Sequence, residues 1–438
     1  MAEQGKIRVV KPARRLEGDV VLPGDKSISH RAAILNSLAS GEAEIGNFSP
    51  GRDCFSTVAC LRALGVKVRQ SGDPDFPTLH VRGVGEAGLT EASNVLNAGN
   101  SATTMRLLGG LLSSQPFLSV ITGDASLRSR PMRRLIEPLR LMGAELWGRG
   151  KDSFAPLVIK GGKLHGVDIS LSIPSAQVKS AILLAALFAR GRTVLHQPVP
   201  SRDHTERLLR QMGAELESDG RVISVSPLTR PLPSLSFTIP GDISSAAYFL
   251  VAGAIHPDAR IAVKGCGVNP TRMGIIDALL AMGAKLKVEN KRLSAGEPVA
   301  DIVIQSSTLK GIEVGGEMIP RLIDEIPLLA LAGCFARGKT VIRDAAELRV
   351  KESDRIATVA GELSRMGAEI EELPDGMVIY GGKGLEGAEV NSHLDHRLAM
   401  SLAIAGLIAK GETVINHAQV ADISYPSFWS ALDGIIRP

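Results

Sequence analysis

Two kinds of hydrophobic segment alternate along the chain. The first kind is apolar or small on nearly every side of a helix, a pattern that predicts buried helices. It occurs at residues 27–39, 101–112, 175–189, 244–255, 326–336 and 397–409. Most of these segments end in glycine followed by β-branched residues, which predicts that a strand comes directly after each helix.

The second kind of segment is a short phrase that recurs about every 70 residues. It begins with leucine and ends with glycine and a small or branched residue, as in residues 61–66 and 139–144. Glycine just after the last helical residue is a common signal for the end of a helix. The six marker glycines are Gly65, Gly143, Gly213, Gly283, Gly367 and, in a degenerate copy, Gly434.

Together the two patterns define one unit: a buried helix, a strand, an outer helix and further strands. A period of this length is too long for a solenoid module, so we predict a small α/β subdomain present six times. Six copies fit two domains of three. The proline-rich residues 227–233 precede the expected hinge, which gives domains of 23–240 and of 1–22 plus 241–438. We expect the active site in the cleft between them.

Composition narrows the class of protein. The chain is 44% hydrophobic and 22% charged, as globular proteins are. It contains no run near the roughly 18 apolar residues of a membrane span, and its start lacks an apolar signal core. A net charge of +4 and 3% aromatic residues argue against nucleic acid and favour small anionic substrates. The four cysteines suit neither zinc nor a disulfide framework, so we expect a cytoplasmic location.

The first candidate site is at residues 24–31, Gly-Asp-Lys-Ser-Ile-Ser-His-Arg. Ser27 is predicted to cap the first buried helix. Lys26 then lies at the start of this helix, and Arg31 lies one turn along the same face as Ser27. Helix starts attract anions. The segment is therefore either a pocket for phosphate or carboxylate, or a capped surface helix with two solvated cations.

Other predicted helix starts carry similar side chains. Asn100 and nearby backbone donors precede the second buried helix. Four arginines occur in residues 128–134, where Pro131 is predicted at the first helical position. That position would leave Arg130 in a loop. Ser175, Gln177 and Arg202 are the remaining polar residues at predicted helix starts. Each of these segments could instead have a purely structural role, as a helix cap or as a basic face exposed to solvent.

Acidic residues occur at three further helix starts. Asp324 and Glu325 precede a buried helix, where they act either as caps or as a base. Residues 351–355 predict a helix that places two cations on one face and a carboxylate beside them. Residues 395–397, Asp-His-Arg, form a similar start. His393 and His396 are spaced for a metal, but no third ligand is evident.

Three motifs together resemble the 5-enolpyruvylshikimate-3-phosphate synthase family. They are Leu-Pro-Gly-Asp-Lys-Ser-Ile-Ser-His-Arg, Arg-Val-Lys-Glu-Ser-Asp-Arg and Asp-His-Arg-Leu-Ala-Met. The resemblance extends from about Leu16 to Trp429. It implies a two-domain inside-out α/β barrel, the enolpyruvyl transferase fold, with six βαβαββ-type repeats, three in each domain. It also implies a monomer that needs no metal and no organic cofactor.

The resemblance implies transfer of the enolpyruvyl group of phosphoenolpyruvate to the 5-hydroxyl of shikimate 3-phosphate. Phosphate is released by addition and elimination through a tetrahedral intermediate, in the pathway to chorismate and the aromatic amino acids. The residues that resemble ligands of shikimate 3-phosphate are Lys26, Ser27, Arg31, Ser175, Gln177, Arg202, Asp324 and Lys351. Those that resemble ligands of phosphoenolpyruvate are Lys26, Asn100, Ala102, Arg130, Gln177, Arg355 and Arg397. Asp324 resembles the base for the 5-hydroxyl, and Glu352, with Lys26, the group that protonates the methylene carbon.

Several positions depart from the pattern of many family members. Ala102 and Leu107 stand where many have glycine and proline. Asp25, the triplet Ser175-Ala176-Gln177 and the triplet Arg202-Asp203-His204 resemble the second class of the family, which is often glyphosate-tolerant. A methyl group in the phosphoenolpyruvate pocket is expected to clash with the longer inhibitor, so we predict weak inhibition by glyphosate. Gln419 stands where some members have a substrate-binding lysine, and no site is assigned there.

Three alternatives remain to be weighed. A UDP-N-acetylglucosamine enolpyruvyl transferase has the same architecture but usually carries a reactive cysteine in a mobile loop, and residues 128–134 contain none. A non-catalytic binding protein would lack the acid and base that Asp324, Glu352 and Lys26 supply. An RNA-acting enzyme of similar fold is disfavoured by the low aromatic content and modest charge.

Overall fold

The computed structural model describes residues 5–438, which form two compact units. Unit 1 contains residues 5–23, Pro240–Arg292 and Pro298–Pro438, and unit 2 contains Gly24–Ile239 and Leu293–Glu297. Each unit has its own hydrophobic core. The tip of one hairpin, Leu293–Glu297, thus belongs to unit 2, although the hairpin's strands pair in a sheet of unit 1.

Strands occur along the whole described chain. In chain order they are β1 (Arg8–Val10), β2 (Arg15–Val21), β3 (Glu42–Gly46), β4 (Lys67–Asp73), β5 (Phe76–Arg82), β6 (Leu96–Asn97), β7 (Leu118–Thr122), β8 (Glu145–Gly148), β9 (Phe154–Lys160), β10 (Asp168–Ser170), β11 (Thr193–His196), β12 (Leu216–Ser218), β13 (Val222–Val225), β14 (Phe237–Thr238), β15 (Ala259–Gly267), β16 (Lys285–Ser294), β17 (Glu297–Gln305), β18 (Glu313–Val314), β19 (Lys339–Ile342), β20 (Glu369–Leu373), β21 (Gly376–Tyr380), β22 (Glu389–Asn391), β23 (Thr413–Asn416) and β24 (Ile436–Arg437).

Helices alternate with these strands. They are α1 (Lys26–Leu38), α2 (Arg52–Ala63), α3 (Ala102–Leu112), α4 (Ala125–Ser129), α5 (Arg133–Leu141), α6 (Arg149–Asp152), α7 (Ala176–Ala186), α8 (His204–Gln211), α9 (Ile243–Ile255), α10 (Gly274–Ala281), α11 (Ile319–Leu322), α12 (Ile326–Phe335), α13 (Arg355–Arg365), α14 (His396–Gly406) and α15 (Phe428–Asp433). Short 3₁₀ turns lie at Gly85–Ala87, Gly316–Met318, Ala346–Val350 and Ala418–Ile423. Among residues 5–438, no helix has both the length and the apolar character needed to cross a membrane.

Unit 2 repeats one sheet topology three times. Its sheets have the strand orders β14-β3-β5-β4, β6-β7-β9-β8 and β10-β11-β13-β12. In each sheet the first two strands are parallel and the other neighbours are antiparallel. The repeated order shows that the recurring sequence phrases specify the same local structure.

Unit 1 contains three further sheets. Their orders are β18-β19-β21-β20, β1-β23-β22 and β16-β17-β15-β2-β24. Each again includes a parallel pair, namely β18 with β19, β22 with β23, and β15 with β2. Within residues 5–438 the strands therefore form six separate open sheets and no closed barrel. The prediction of six α/β repeats, three to each half, is confirmed.

The six predicted buried helices form the centre of the two units. Helices α1, α3 and α7 lie in unit 2, and α9, α12 and α14 in unit 1; their residues are almost all buried. In α9 every residue from Ile243 to Ile255 is buried. A helix that is apolar all round is stable only when protein covers every face, as the sheets and outer helices do here.

The glycine phrase marks a helix end in all six copies, and five of the six glycines share one backbone conformation. Five marker glycines have φ between 78° and 93°, a left-handed conformation that glycine adopts without steric cost: Gly65, Gly143, Gly213, Gly283 and Gly367. Gly434, in the degenerate copy, has φ of −64° and needs no such freedom.

Three details predicted for helix starts are wrong. Asp25, not Ser27, caps α1, because its Oδ1 accepts a hydrogen bond from the backbone N–H of Ile28 at 2.9 Å. Pro131 does not begin a helix, since α5 starts at Arg133. Residues 351–355 are not one helix, because α13 starts only at Arg355. At α1 and α13 an aspartate supplies the cap: Asp25 accepts from the backbone N–H of Ile28, and Asp354 accepts from that of Ala357.

Close packing of α3 on α7 predicts a strong effect of one methyl group. A Cβ atom at Gly110 would lie 2.1 Å from the backbone oxygen of Ala181 on α7. Gly110→Ala should therefore lower the free energy of unfolding of unit 2 by about 2 kcal/mol, because backbone cannot move aside as a flexible side chain does. Urea unfolding followed by circular dichroism measures the effect.

The matched control is Gly361→Ala on α13. Gly361 is exposed, and an added Cβ would have no heavy atom within 4 Å. This change should stabilise by about 0.5–1 kcal/mol, since alanine loses less backbone entropy in a helix. Equal effects of the two substitutions would show that the α3–α7 contact is not tight.

Candidate active site

The densest group of charges in unit 1 surrounds Arg355, the first residue of α13. Its Nε and Nη2 donate hydrogen bonds to the two carboxylate oxygens of Asp395, at 2.8 and 3.2 Å. Nη2 also donates to Glu352 at 2.7 Å, and Nη1 to Asp324 at 3.4 Å. Only 1% of the Arg355 side chain is exposed. Three carboxylates therefore hold one buried guanidinium.

The three carboxylates come from three helix starts. Asp324 lies two residues before α12, and Glu352 lies three residues before α13. Asp395 caps α14 by accepting a hydrogen bond from the backbone N–H of Arg397 at 2.9 Å. We call Asp324, Lys351, Glu352, Arg355, Asp395 and Arg397 the acid-base cluster.

Asp324 is the carboxylate of this cluster that most cations approach. Lys351 Nζ and Arg397 Nη2 each lie 3.8 Å from one of its oxygens, in addition to Arg355. Its side chain is 14% exposed. Burial lowers the pKa of Lys351, and the charge of Arg355 lowers it further, against the effect of Asp324. A weakened ammonium beside a carboxylate suits a group that takes part in proton transfer.

Asp395 is charged despite complete burial. Burial by itself would raise the pKa of Asp395, but the charge of Arg355 and their hydrogen bonds outweigh it, so the pKa lies below its usual range. Burial would likewise lower the pKa of Arg355, and the carboxylates of Asp395 and Glu352 raise it instead. The two groups thus stabilise each other's charged forms.

A second, fully buried polar group supports the segment that carries Asp324. The Glu325 carboxylate accepts a hydrogen bond from the Ser244 hydroxyl, and Arg272 donates to the same hydroxyl at 2.7 Å. Arg272 also lies 3.4 Å from Asp242, the cap of α9. Glu325 therefore points into the interior, whereas Asp324 is partly accessible. The Glu325 side chain makes no hydrogen bond that caps α12, so the cap role expected for Glu325 is wrong.

Unit 2 carries a separate group of polar residues at the starts of α1, α3 and α7. Lys26 Nζ is 3.2 Å from Asp53 on α2, and its side chain is 18% exposed. Ser27 is partly buried in the first turn of α1. Ser175 caps α7, where its hydroxyl accepts from the backbone N–H of Val178 at 3.4 Å.

The guanidinium of Arg31 donates hydrogen bonds to acceptors within the protein. It donates to the Thr205 hydroxyl at 2.7 Å, to the Ser180 hydroxyl at 2.7 Å and to the backbone oxygen of Ser27 at 2.8 Å. The residue is 3% exposed, and burial lowers the pKa of Arg31 to about 10. Arg31 therefore joins α1 to α7 and α8, and its predicted contact with substrate stays a prediction.

Hydrogen bonds link α3 to α7. Gln177 accepts a bond from Arg106 at 2.5 Å and donates one to Thr103 at 2.8 Å. Arg106 also donates to the backbone oxygen of Pro131 at 3.2 Å. These contacts hold the start of α7 against the first turns of α3.

The loop before α3 is tied to the arginine-rich segment. Arg130 donates to the side-chain oxygen of Asn100 at 2.9 Å, and Asn100 donates to Asp124 at 2.7 Å. Ala102, the first residue of α3, is 7% exposed. Arg202 is partly buried just before the start of α8. We call Lys26, Ser27, Arg31, Asn100, Ala102, Arg130, Ser175, Gln177 and Arg202 the anion cluster.

Some residues in and around the candidate site have only a weak signal in the sequence. Asp395 begins the Asp-His-Arg motif. An acidic residue at a predicted helix start is the only sequence feature that points to Asp395. Asp53, the partner of Lys26, lies on a helix for which no site was expected. Arg272 and Ser244, which hold Glu325, come from distant parts of the chain, and nothing local indicates their contact.

One of the two closely spaced histidines, His393, contacts a carboxylate. His393 Nε2 is 2.8 Å from the Glu362 carboxylate. In the described part of the chain, no group of three or more histidine, cysteine, aspartate or glutamate side chains is placed to hold a metal ion.

Solved structures define the class of fold. The enolpyruvyl transferase NikO from Streptomyces tendae has a TM-score of 0.77 at 20% identity, and the match covers 98% of each chain. EPSP synthase from Acinetobacter baumannii has a TM-score of 0.87 at 42% identity over 98% of each chain. The predicted enolpyruvyl transferase fold is therefore confirmed.

Sequence comparison gives the family. The model of EPSP synthase (3-phosphoshikimate 1-carboxyvinyltransferase) matches residues 10–432. The 3-phosphoshikimate 1-carboxyvinyltransferase of Gloeobacter violaceus is 56% identical over 429 residues, which are 98% of each chain. That of Herpetosiphon aurantiacus is 53% identical over 96% of this chain and 97% of its own. This chain belongs to the EPSP synthase family, which confirms the predicted transferase class.

The buried pair of Arg355 and Asp395 predicts a pH-dependent loss of stability. Asp395→Asn should lower the free energy of unfolding by about 3 kcal/mol at pH 7, because it removes one partner of a buried ion pair. The pKa of Asp395 is lower in the folded state than in the unfolded state. Asp395 therefore makes its full contribution to the free energy of unfolding above the unfolded pKa of about 3.9. The difference between wild type and variant should shrink as pH falls below that value in urea titrations.

The control is Glu369→Gln, which removes the exposed partner of Lys383. An exposed ion pair contributes little, so stability should hardly change. A wild-type advantage over Asp395→Asn that grows as the pH falls would contradict the assignment of a charged Asp395.

Proposed function

We propose that this chain transfers the enolpyruvyl group of phosphoenolpyruvate to the 5-hydroxyl of shikimate 3-phosphate and releases phosphate. The reaction forms the bond between the hydroxyl oxygen and C2 of phosphoenolpyruvate, and then breaks the bond between C2 and the phosphate oxygen. The observation that carries the proposal is Asp324, a partly accessible carboxylate approached by three cations. Family membership supports the choice of substrates.

Shikimate 3-phosphate is the proposed ligand of one set of polar residues. A phosphate with neighbouring hydroxyls needs cations, hydroxyl groups and an amide, which helix starts present together with free backbone N–H groups. The proposed ligands are Lys26, Ser27, Arg31, Ser175, Gln177, Arg202, Asp324 and Lys351. Most of them lie in the anion cluster of unit 2.

Phosphoenolpyruvate carries a carboxylate and a phosphate, so it needs several cations. The proposed ligands are Lys26, Asn100, Ala102, Arg130, Gln177, Arg355 and Arg397. Burial would lower the pKa of Arg397, but the carboxylate of Asp324 and the other groups around it raise it, so this cation is permanent. The ligand set draws on both clusters, and we propose that they act together on one pair of substrates.

Two proton transfers accompany addition. We propose that Asp324 takes the proton of the 5-hydroxyl as the oxygen attacks C2. Glu352, with Lys26, gives a proton to the methylene carbon, which becomes a methyl group in the tetrahedral intermediate. Elimination then removes a proton from that methyl group as phosphate leaves. Preorganised charges stabilise the cationic character of C2 without the cost of reorienting water.

The finer classification rests on a few residues. We propose that the chain belongs to the second, often glyphosate-tolerant class, because of Asp25 and the residues around Ser175 and Arg202. Glyphosate is expected to be a weak inhibitor, since the Ala102 methyl group adds bulk at the start of α3. Four buried free thiols support a cytoplasmic location. The expected state is a monomer that needs no cofactor.

The test of the proposed function is phosphate release by the purified protein. Release should require phosphoenolpyruvate and shikimate 3-phosphate together. Asp324→Asn should lower kcat by about 10²–10⁴-fold, because it removes a general base. UDP-N-acetylglucosamine should not replace shikimate 3-phosphate as acceptor.

The control is Asp433→Asn, which changes an exposed carboxylate paired with Arg8 in the same unit. Its kcat should equal that of wild type. Release from phosphoenolpyruvate alone, or with UDP-N-acetylglucosamine as acceptor, would contradict the proposed reaction.

The steric account of glyphosate tolerance makes a separate prediction. Ala102→Gly should lower the inhibition constant for glyphosate by about ten-fold or more, because it removes one methyl group from the pocket. The KM for phosphoenolpyruvate should change much less, since the substrate is shorter. Ala125→Gly, at an exposed position of α4, is the control. An inhibition constant that is the same in wild type and Ala102→Gly would contradict the account.

A further inference from the structure

The first turn of α8 buries three consecutive polar side chains. His204, Thr205 and Glu206 are each about 1% exposed. Each contacts a different part of unit 2: the hairpin tip, helices α1 and α7 together, and α7 alone. The first turn of an outer helix usually faces solvent. In α8 the first turn is buried and connects the elements around it.

Glu206 forms a fully buried ion pair with Lys179 on α7. The two charged groups are 2.6 Å apart, and their side chains are 2% and 0% exposed. Lys179 Nζ also donates to the backbone oxygen of Ser201 at 3.1 Å. Lys179 therefore holds the residue that comes directly before Arg202.

Lys179 itself belongs to the first turns of α7. It lies one helical turn after Ser175, and its backbone N–H donates to the Ser175 oxygen at 3.0 Å. The same side chain thus connects the start of α7, with Ser175 and Gln177, to the loop that carries Arg202. All three are proposed ligands of shikimate 3-phosphate.

The other two residues of the turn reinforce this connection. The Thr205 hydroxyl lies 2.7 Å from Ser180 on α7 and accepts a bond from Arg31 on α1. His204 Nδ1 lies 2.8 Å from the buried carboxylate of Glu297 at the hairpin tip. Helix α8 therefore cannot shift without breaking buried polar contacts on several sides.

Stability alone does not account for the buried ion pair. Replacing such a pair with apolar side chains of similar volume is often neutral or stabilising, because desolvation offsets the attraction between the charges. The pair does, however, fix direction and distance between the two elements. Misplacing a binding group by about 1 Å costs up to about 10²-fold in rate.

We propose that Lys179 and Glu206 are positioning residues that set the distance between Arg202 and the start of α7 for shikimate 3-phosphate. The inference rests on the proposed function and deepens it. Lys179 contacts Glu206 and the backbone oxygen of Ser201, so we assign the pair a positioning role and not contact with substrate. Their effect is specific to one substrate, because they contact the segments that carry Ser175, Gln177 and Arg202.

The test replaces both charges at once, as Lys179→Met with Glu206→Leu. This double variant removes both charges of the pair, so it should unfold at a higher urea concentration than Lys179→Met alone, which leaves Glu206 buried without Lys179. Its KM for shikimate 3-phosphate should rise about ten-fold, since the ligands are no longer held at their distance. Its kcat and its KM for phosphoenolpyruvate should stay within about two-fold of wild type.

Glu206→Gln is the conservative comparison. Its amide oxygen can still accept from Lys179, so the KM for shikimate 3-phosphate should remain close to that of wild type. If the double variant does not fold, Glu206→Asp, which keeps the charge but shortens the side chain, should show the same selective rise. The matched control is Arg192→Met with Glu217→Leu, an exposed ion pair in the same unit, which should change neither KM.

The outcomes separate the two proposals. A folded double variant with an unchanged KM for shikimate 3-phosphate, or with an equal rise in both KM values, would overturn the positioning role. A wild-type protein that releases no phosphate with both substrates would contradict the proposed function instead. A rise confined to shikimate 3-phosphate supports both.

Discussion

The structure of unit 1 depends on the neutralisation of one buried guanidinium. Arg355 is 1% exposed, and a charge at such a position is tolerated only with charged partners that also accept hydrogen bonds. Three carboxylates provide this, and each stands at or near the start of a different helix. The charge requirement of Arg355 thus fixes the starts of α12, α13 and α14 relative to one another. The same requirement leaves Asp324 partly accessible, between Lys351 and Arg397.

Unit 2 also contains buried cations, which are stabilised by neutral hydrogen-bond acceptors as well as by a carboxylate. Arg31 is surrounded by hydroxyl and carbonyl oxygens, and Lys179 is paired with Glu206. In both units, buried cations join the starts of apolar, buried helices to the starts of outer helices that are partly exposed. The hydrophobic helices therefore provide the cores, while the buried charges set the positions of the helix starts, where the candidate ligands lie.

Much of the fold was predictable because its signals are local. The apolar segments and the glycine phrases each act within one helix, so six repeats and all six buried helices follow from the sequence. The details at helix starts were less predictable, because neighbouring residues compete for the same role. Asp25 displaces Ser27 as a cap, and residues 351–354 form no helix with Arg355. The contacts of Arg272 with Ser244, and of Arg31 with Thr205, join residues far apart in the chain, which no local pattern reveals.

The central claim is that the acid-base cluster and the anion cluster serve one reaction between two phosphorylated substrates. Phosphorus-31 NMR of the complete mixture follows both phosphates at once and tests the claim most directly. The account predicts that the phosphoenolpyruvate signal is replaced by an equal amount of inorganic phosphate, while the phosphate of shikimate 3-phosphate stays esterified. Loss of the sugar-like phosphate, or persistence of the phosphoenolpyruvate signal in the complete mixture, would contradict it.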